Sequence, residues 1–533
     1  MRTRRLILPA VPLSIGALVL AGCAATATTP AAITITDASG SSSEVTATGT
    51  DDTTGTNAEA VLAANEDATA VRDDEWSVAD AIDIDLTGTS ATTSAAEVEI
   101  SGSTVMITAA GVYRLSGSLD GAVTVSAPDD AQVVLILDGV DIENTDGAAI
   151  SVLTADDVAV SLADGSQNSL SDAASYADDA DVNAALFSEA DLTISGTGSL
   201  TVDGNGGDAI TSEDDLAILS GKITVTAADD ALRGKDSLTI EGGTLALQAG
   251  GDALKSDNED EDTRGYVVIE GGDVTASAAD DGIDATTDIV ITGGSLTVSA
   301  DGDGLHADVA AAIAAGTVVV EQSDEALEGA YISIEGGDVQ LTAADDGINA
   351  AGLAESSSGG GGGGMGDTGE TLDISGGTVT VDSGGDGLDS NGSATVSGGT
   401  VTVSGPTSDG NGALDVNGTL AVTGGTLIAV GSAGMAVSPG DGSSQAWIST
   451  LVTGSAGDAV EIVDASGTVV ATFTAEKDFA SVVYTAADLV DGATYTVAVN
   501  GSTAATVSEG TATAGGMGGN GGMGGGPGGG QRP

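Results

Sequence analysis

Reactive side chains are nearly absent from this sequence. Its 533 residues include one cysteine and one histidine, and aromatic residues make up 2%. A single cysteine excludes an intramolecular disulfide framework. A single histidine leaves a zinc or copper centre short of ligands. Cations are scarce too: 12 Lys and Arg stand against 81 Asp and Glu, for a formal charge of −69. Such a surface repels nucleic acid and anionic head groups and attracts cations. Beyond the N-terminal segment, no apolar run approaches the ~18 residues that read as a membrane span.

What the chain does have is 41% hydrophobic residues and 82 glycines. Val, Ile, Leu and Ala alternate with polar residues over most of its length. That argues against disorder throughout and for many thin, similar layers. The N-terminus, "MRTRRLILPAVPLSIGALVLAGC", has a basic start, an apolar run and a small-residue exit, the pattern of a secretory signal. Its exit "LAGC" resembles the lipobox of bacterial lipoproteins, which implies a diacylated Cys23. The expectation is a signal peptide over 1–23, a flexible Ala/Thr/Ser/Asp-rich tether over 24–73 and a disordered Gly-rich tail over 509–533. The membrane is then touched through the N-terminal lipid only, at the extracellular face.

Repeats decide the middle of the chain. Aligned on the acid before a small–apolar pair, "GGDAI", "ADDAL", "GGDAL", "ADDGI", "GDGL", "DEAL", "ADDGI" and "GDGL" place Asp208, Asp230, Asp252, Asp281, Asp303, Glu325, Asp346 and Asp386 in one register. The steps are 22, 22, 29, 22, 22, 21 and 40 residues, with inserts at 256–265 and 355–369 causing the long ones. Each unit also carries two alternating runs around a Gly-Gly corner, as in "LTIEGGTLAL" and "IVITGGSLTV". Three short strands and three corners per unit predict an all-β fold, a right-handed parallel β-helix of about 22 residues per coil with coils ~4.8 Å apart. The helix and its N-terminal cap are expected over 74–440. A small C-terminal β module, read from runs such as "ASVVYTAADL", follows over 441–508.

Stacking puts the register acids in one column. Neighbouring unit charges ~4.8 Å apart repel by about 3–4 kcal/mol at an effective dielectric of 20, so the column is strained unless it is neutralised or, as for ordinary turn acids, well solvated. Calcium, which takes six to eight hard oxygens, suits it. The expected ligands are Asp229, Asp230, Asp252, Asp280, Asp281, Asp301, Asp303, Asp345, Asp346 and Asp386. A second column points outward: Thr211, Arg233, Lys255, Asp284, His306, Glu328, Asn349 and Asp389. With Lys235 it concentrates cations on an acidic surface, which makes Arg233, Lys235, Lys255, Asp284, His306 and Glu328 the candidate ligand-binding residues. Arg grips a carboxylate bidentately and Lys adds a point charge. The alternative is that Arg233 and Lys255 neutralise Asp230, Asp252 and Asp257.

The blocks "GVYRLSGSLDGAVTV", "VVLILDGVDIENTDGAAISV", "DLTISGTGSLTVDGNGGDAITSEDDLAI" and "GGDALKSDNEDEDTRGYVVIEGGDV" resemble the bacterial carbohydrate-binding-domain-containing lipoproteins, over roughly 75–500. The resemblance implies a polysaccharide-lyase-like right-handed parallel β-helix. It also implies calcium, an acidic or cellulosic glycan partner and no catalytic residues. Without an aromatic platform, ionic contact with uronate-containing polymer fits better than stacking on neutral sugar. The expected protein is a monomeric, non-catalytic, calcium-dependent polysaccharide binder. On that reading Arg233→Ala with Lys255→Ala weakens retention of the glycan and leaves stability nearly intact. The alternatives are a calcium-dependent polysaccharide lyase, with Arg233, Lys235 or Lys255 as base, and a structural or adhesive surface stalk.

Overall fold

The computed structural model describes residues 56–177, 180–352 and 366–512. The signal segment with Cys23, the tether as far as residue 55 and the tail from residue 513 lie outside the described residues. No described helix is long and apolar enough to cross a membrane.

The protein is all-β, and its main hydrogen-bonded network joins 40 strands, mostly in parallel. Most strands of the repeat region pair with the strand three before and the strand three after, and the step falls to two where Leu305–Ile313 and Glu328–Ile334 each run through two stacks, so the chain returns to the same place after one lap. Three stacks result. One contains Lys222–Ala227, Thr244–Gln248, Asp273–Ala278 and Ser295–Ala300. A second contains the short strands Leu232–Gly234, Leu254–Ser256 and Ile283–Ala285. The third contains Ser237–Ile240, Tyr266–Ile269 and Asp288–Ile291.

Period-2 alternation turns every second side chain of the first stack inward. Ile223, Leu245, Val274, Leu296 and Val318 are register partners across successive laps. In the third stack Ile240, Ile269, Ile291 and Ile313 line up the same way. All are 0–2% exposed and belong to one continuous core. Burying each such side chain contributes about 1.5–3 kcal/mol. A single lap has nothing to bury against, so stability comes from stacking.

The Gly-Gly corners are sterically required. Gly272 and Gly294 have φ of +86° and +75°, and a Cβ there would come within 3.0 Å of the equivalent corner one lap earlier. Only glycine takes both that conformation and that approach.

At the C-terminal end Thr426–Gly431 leaves the parallel pattern and pairs antiparallel with Phe479–Thr485, which also pairs with Trp447–Gly454. A separate four-stranded sheet lies beyond. It shares a second core with these strands through Ile428, Ile448, Val460, Phe473 and Tyr484.

One expectation is corrected. The second part of the expected tether, residues 57–73, is docked along the outer side of the third stack. Asn57 caps the helix Ala58–Ala64, whose Ala58 and Val61 pack on Tyr266, Val268, Val290 and Ala312. Further along, the Thr69 amide donates to Asp215 Oδ2 at 2.7 Å and the Val71 amide to Thr193 Oγ1 at 2.9 Å. Val71 itself is buried on Val112, Val134 and Ile136. The physical reason is that these strands are apolar on both sides, and their outer side needs a cover.

Candidate functional site

The register acids stand at the corner that leads into the short-strand stack, and they do line up. Each uses one carboxylate oxygen to accept the backbone N–H of the acid one lap further on. Asp230 donates to Asp208 Oδ1, Asp252 to Asp230, Asp281 to Asp252, Asp303 to Asp281 and Glu325 to Asp303. Asp386 donates to Asp346 Oδ1 and Gly412 to Asp386 Oδ1; across the whole series N···O runs from 2.5 to 3.2 Å. The series breaks once. Glu325 carries an extra methylene, and its carboxylate accepts from Asn349 Nδ2 at 2.8 Å instead.

Charge-assisted bonds to backbone amides hold these carboxylates in place but do not neutralise them. Burial, and then Asp208, push Asp230 up to about 7. Burial also lifts Asp281, Glu325 and Asp386 to about 7. These groups are short of counter-charge in the folded state.

The residue before the register acid alternates between Gly and Asp in the first five laps: Gly207, Asp229, Gly251, Asp280, Gly302. A Cβ on Gly251 would lie 2.6 Å from Oδ1 of both Asp229 and Asp230. The glycine is therefore the floor of a carboxylate cradle, and the same arrangement recurs at Gly302 beneath Asp281 and at Gly385 beneath Asp345 and Asp346. Two acid trios follow from the alternation, Asp208–Asp229–Asp230 and Asp252–Asp280–Asp281, each with oxygens within 4.8 Å of one another. Such a donor set is all hard oxygen, as calcium requires. Gly251→Ala is expected to cost about 1–3 kcal/mol through overpacking, seen as a lower denaturation midpoint at unchanged m-value. An unshifted midpoint would mean the cradle is slack.

The outward column is also in register: Thr211–Arg233–Lys255–Asp284–His306–Glu328–Asn349–Asp389 are consecutive strand partners. Its cations, however, are held by the protein's own acids. Arg233 Nε donates to Asp257 at 3.0 Å and Nη1 to Glu213 at 2.7 Å. Lys255 bonds Asp252 and lies 3.3 Å from Asp284 and 3.7 Å from Asp230. Lys235 is 3.7 Å from Glu213. His306 Nδ1 is 3.7 Å from Asp303 and 4.0 Å from Asp281. Burial pulls the His306 and Lys255 pKa values down, but the surrounding carboxylates outweigh it and both are raised. These pairs match the alternative left open by the sequence, in which the cations serve as internal counter-ions.

Not every expected ligand joins a cluster. Asp301 is exposed, and its Oδ1 accepts from Gln322 instead. His306 gathers Asp281 with Asp284 on one side and Asp303 with Glu328 on the other. A trio that the sequence reading missed, Asp191–Asp214–Asp215, lies near the third stack. Its signal was present: Asp157, Asp191 and Asp215 each open an apolar strand of that stack, and Asp157 and Asp191 are register partners. Arg233 reaches a cavity of about 550 Å³ shared with Asn183, Asp208, Glu213, Asp229 and Asp257. The lining is overwhelmingly acidic.

Residues 101–361 match the family described as "Carbohydrate-binding domain-containing protein". A protein of that description from Acetivibrio thermocellus is 42% identical over 128 residues, which is 23% of this chain and 45% of that protein. The chain thus spans less than half the length of the curated relative it matches. A solved structure described as the polysaccharide lyase-like protein from C. thermocellum, a gadolinium derivative, is 36% identical. That match covers 44% of this chain and 96% of the other, with a TM-score of 0.43.

Proposed function

We propose that this protein binds polysaccharide without cleaving it, and that the favoured polymer is acidic, uronate-containing and held through calcium. One observation carries the reading: a row of carboxylates, each fixed by the next lap's amide, with paired acids over glycine floors. The family match of residues 101–361 supports the carbohydrate partner. The cavity beside Arg233 supports an acidic sugar only together with cations, because its own lining is anionic. Calcium bound in the Asp208–Asp229–Asp230 or Asp252–Asp280–Asp281 trio would supply positive charge shared between protein and sugar carboxylates. The protein's own part is to fix the donors at lap spacing and to present a repeating edge to a repeating polymer.

The right-handed winding belongs to the same proposal, from the general handedness of parallel crossovers. So do the lipid anchor at Cys23 and display on the extracellular face, which rest on the "LAGC" segment.

The lyase alternative needs a base whose pKa is brought down toward neutrality. Lys255 moves the other way, because Asp252, Asp230 and Asp284 raise it. The test is retention on immobilised polygalacturonate and on cellulose, each with calcium and with EGTA. Retention on the acidic polymer in calcium, lost in EGTA, is expected. Equal retention on cellulose in EGTA would overturn the calcium and acidic-glycan reading. Polygalacturonate incubated with the protein should develop no ultraviolet absorbance from an unsaturated product; a steady rise would make the site catalytic.

A further inference from the structure

The acid edge has a built stop at one end. The register place one lap before Asp208 is held by Ala184, so the column of carboxylates ends there. Beside it the Asn183 carboxamide donates to Asp208 Oδ2 at 3.3 Å, and the Asn183 carbonyl accepts the Asp208 amide at 3.2 Å. The corner that leads into Ala184–Ser188 is also enlarged. It is made by residues 172–183, whereas 228–231 suffice between Lys222–Ala227 and Leu232–Gly234.

This corner is fastened to the lap that follows. The Asn205 amide donates to Asp172 Oδ1 at 2.6 Å, and the Tyr176 hydroxyl lies 2.8 Å from Asp172 Oδ2 and 3.1 Å from the Ala184 carbonyl oxygen. A Cβ on Gly206 would lie 2.5 Å from the Ala173 carbonyl oxygen, and one on Gly207 would lie 2.3 Å from that of Asn183, so the two laps meet backbone to backbone. Ala180, Asp181 and Asn183 of the corner share the cavity of about 550 Å³ with Asp208 and Asp230 of the acid column and Arg233 of the outward one. In the other direction the outward column runs on through Lys255, Asp284 and His306, whose side chains are partly exposed.

The cavity offers many acceptors and few donors. Ionised carboxylates only accept hydrogen bonds, and the Arg233 guanidinium is engaged by Asp257 and Glu213. The ligand that suits such a wall carries many O–H donors, as a sugar ring does around its periphery. A cavity of this volume takes a small molecule or one end of a long one.

We infer that this cavity seats the terminal sugar unit of a polysaccharide chain, whose other units lie along the edge toward His306. The inference rests on the glycan reading above and deepens it, because the protein then reads a chain end and not a stretch of the interior. A groove open at both ends lets a polymer cross it at any point. A groove stopped at one lap admits a chain that ends there.

The test is calorimetric titration of the full-length protein, in calcium, with short and long oligogalacturonates of defined length. One protein per chain is expected at every length. Asp181→Ala should bind the short oligomer about tenfold more weakly, as for losing one charge-assisted hydrogen bond. Asp129→Ala, which removes the same charge from an exposed corner elsewhere, should bind as the parent does. Asp181 is exposed as well, so both variants should keep the parent's melting temperature. If the number of proteins bound rises with chain length, interior units are held: this inference fails and the proposed function stands. If the ratio is one but Asp181→Ala and Asn183→Ala both titrate like the parent, the chain end is seated elsewhere and the inference fails again. If no oligomer binds in calcium, the inference and the proposed function fail together.

Discussion

Lys255→Met is expected to destabilise the protein by about 3 kcal/mol at neutral pH, the range for breaking a largely buried ion pair. The side chain is 23% exposed and stands among Asp230, Asp252 and Asp284. Methionine fills the space of the stem, so the loss isolates the charge. Without it three carboxylates face one another, beside Asp281, which is already lifted to about 7 by burial and by neighbouring acids. The loss should shrink at pH 5, where Asp230 and Asp281, both lifted to about 7, take up protons, and should shrink again in calcium. Denaturant midpoints at two pH values, with and without calcium, measure it. A variant as stable as the parent at neutral pH would mean that Lys255 is solvated and idle. This outcome reverses the sequence-based expectation that Arg233 and Lys255 can be removed with little effect on stability. That expectation treats both as ligand-binding groups, whereas in the structure both are paired with the protein's own acids.

The second large effect is the pH dependence of the calcium-free protein. Asp230, Asp281 and Asp386 are lifted to about 7, and Asp389 to about 8, against an ordinary value of 3.8. Burial is the first cause in each case, followed in Asp389 by Asp346, Asp386 and Asp415. The folded form therefore holds protons that the unfolded chain has already released. It binds more protons than the unfolded chain between pH ~4 and ~8, so stability falls as pH rises through that window. Below pH ~4 the contribution is whole, because both forms are protonated. In EGTA the melting temperature should drop by about 5–10 °C from pH 5 to pH 8. Calcium competes with protons for the same oxygens, so it should restore most of the loss at pH 8 and add little at pH 5. Scanning calorimetry across the four conditions is sufficient. A melting temperature that rises with pH in EGTA would show that these acids are well compensated, and the cation account would lose its physical basis.

The repeat made the edge legible. Asp230, Asp252 and Asp281 were aligned from spacing alone, and each accepts the next one's amide. The outward column from Thr211 to Asp389 was placed just as accurately. Both succeeded because a residue one lap away in sequence is a lateral neighbour in space, which turns a long-range contact into a local pattern. The same logic extends to the inward Ile and Leu columns and to the glycine corners, whose positive φ leaves little alternative residue choice.

Sequence alone thus determined the lap, the register and the identity of the groups along each edge, since all three follow from a period that every unit restates. Tertiary structure decided what each charge touches. Arg233 meets Asp257 and Glu213 through side chains that reach across laps, and no spacing rule foretells the direction of a long, flexible side chain. It also decided that residues 57–73 lie against the third stack. That segment has no periodicity of its own, and its docking is dictated by the apolar outer side of strands far along the chain, such as Val268 and Val290. Non-repeating contacts of this kind are made once, so nothing in the sequence repeats them.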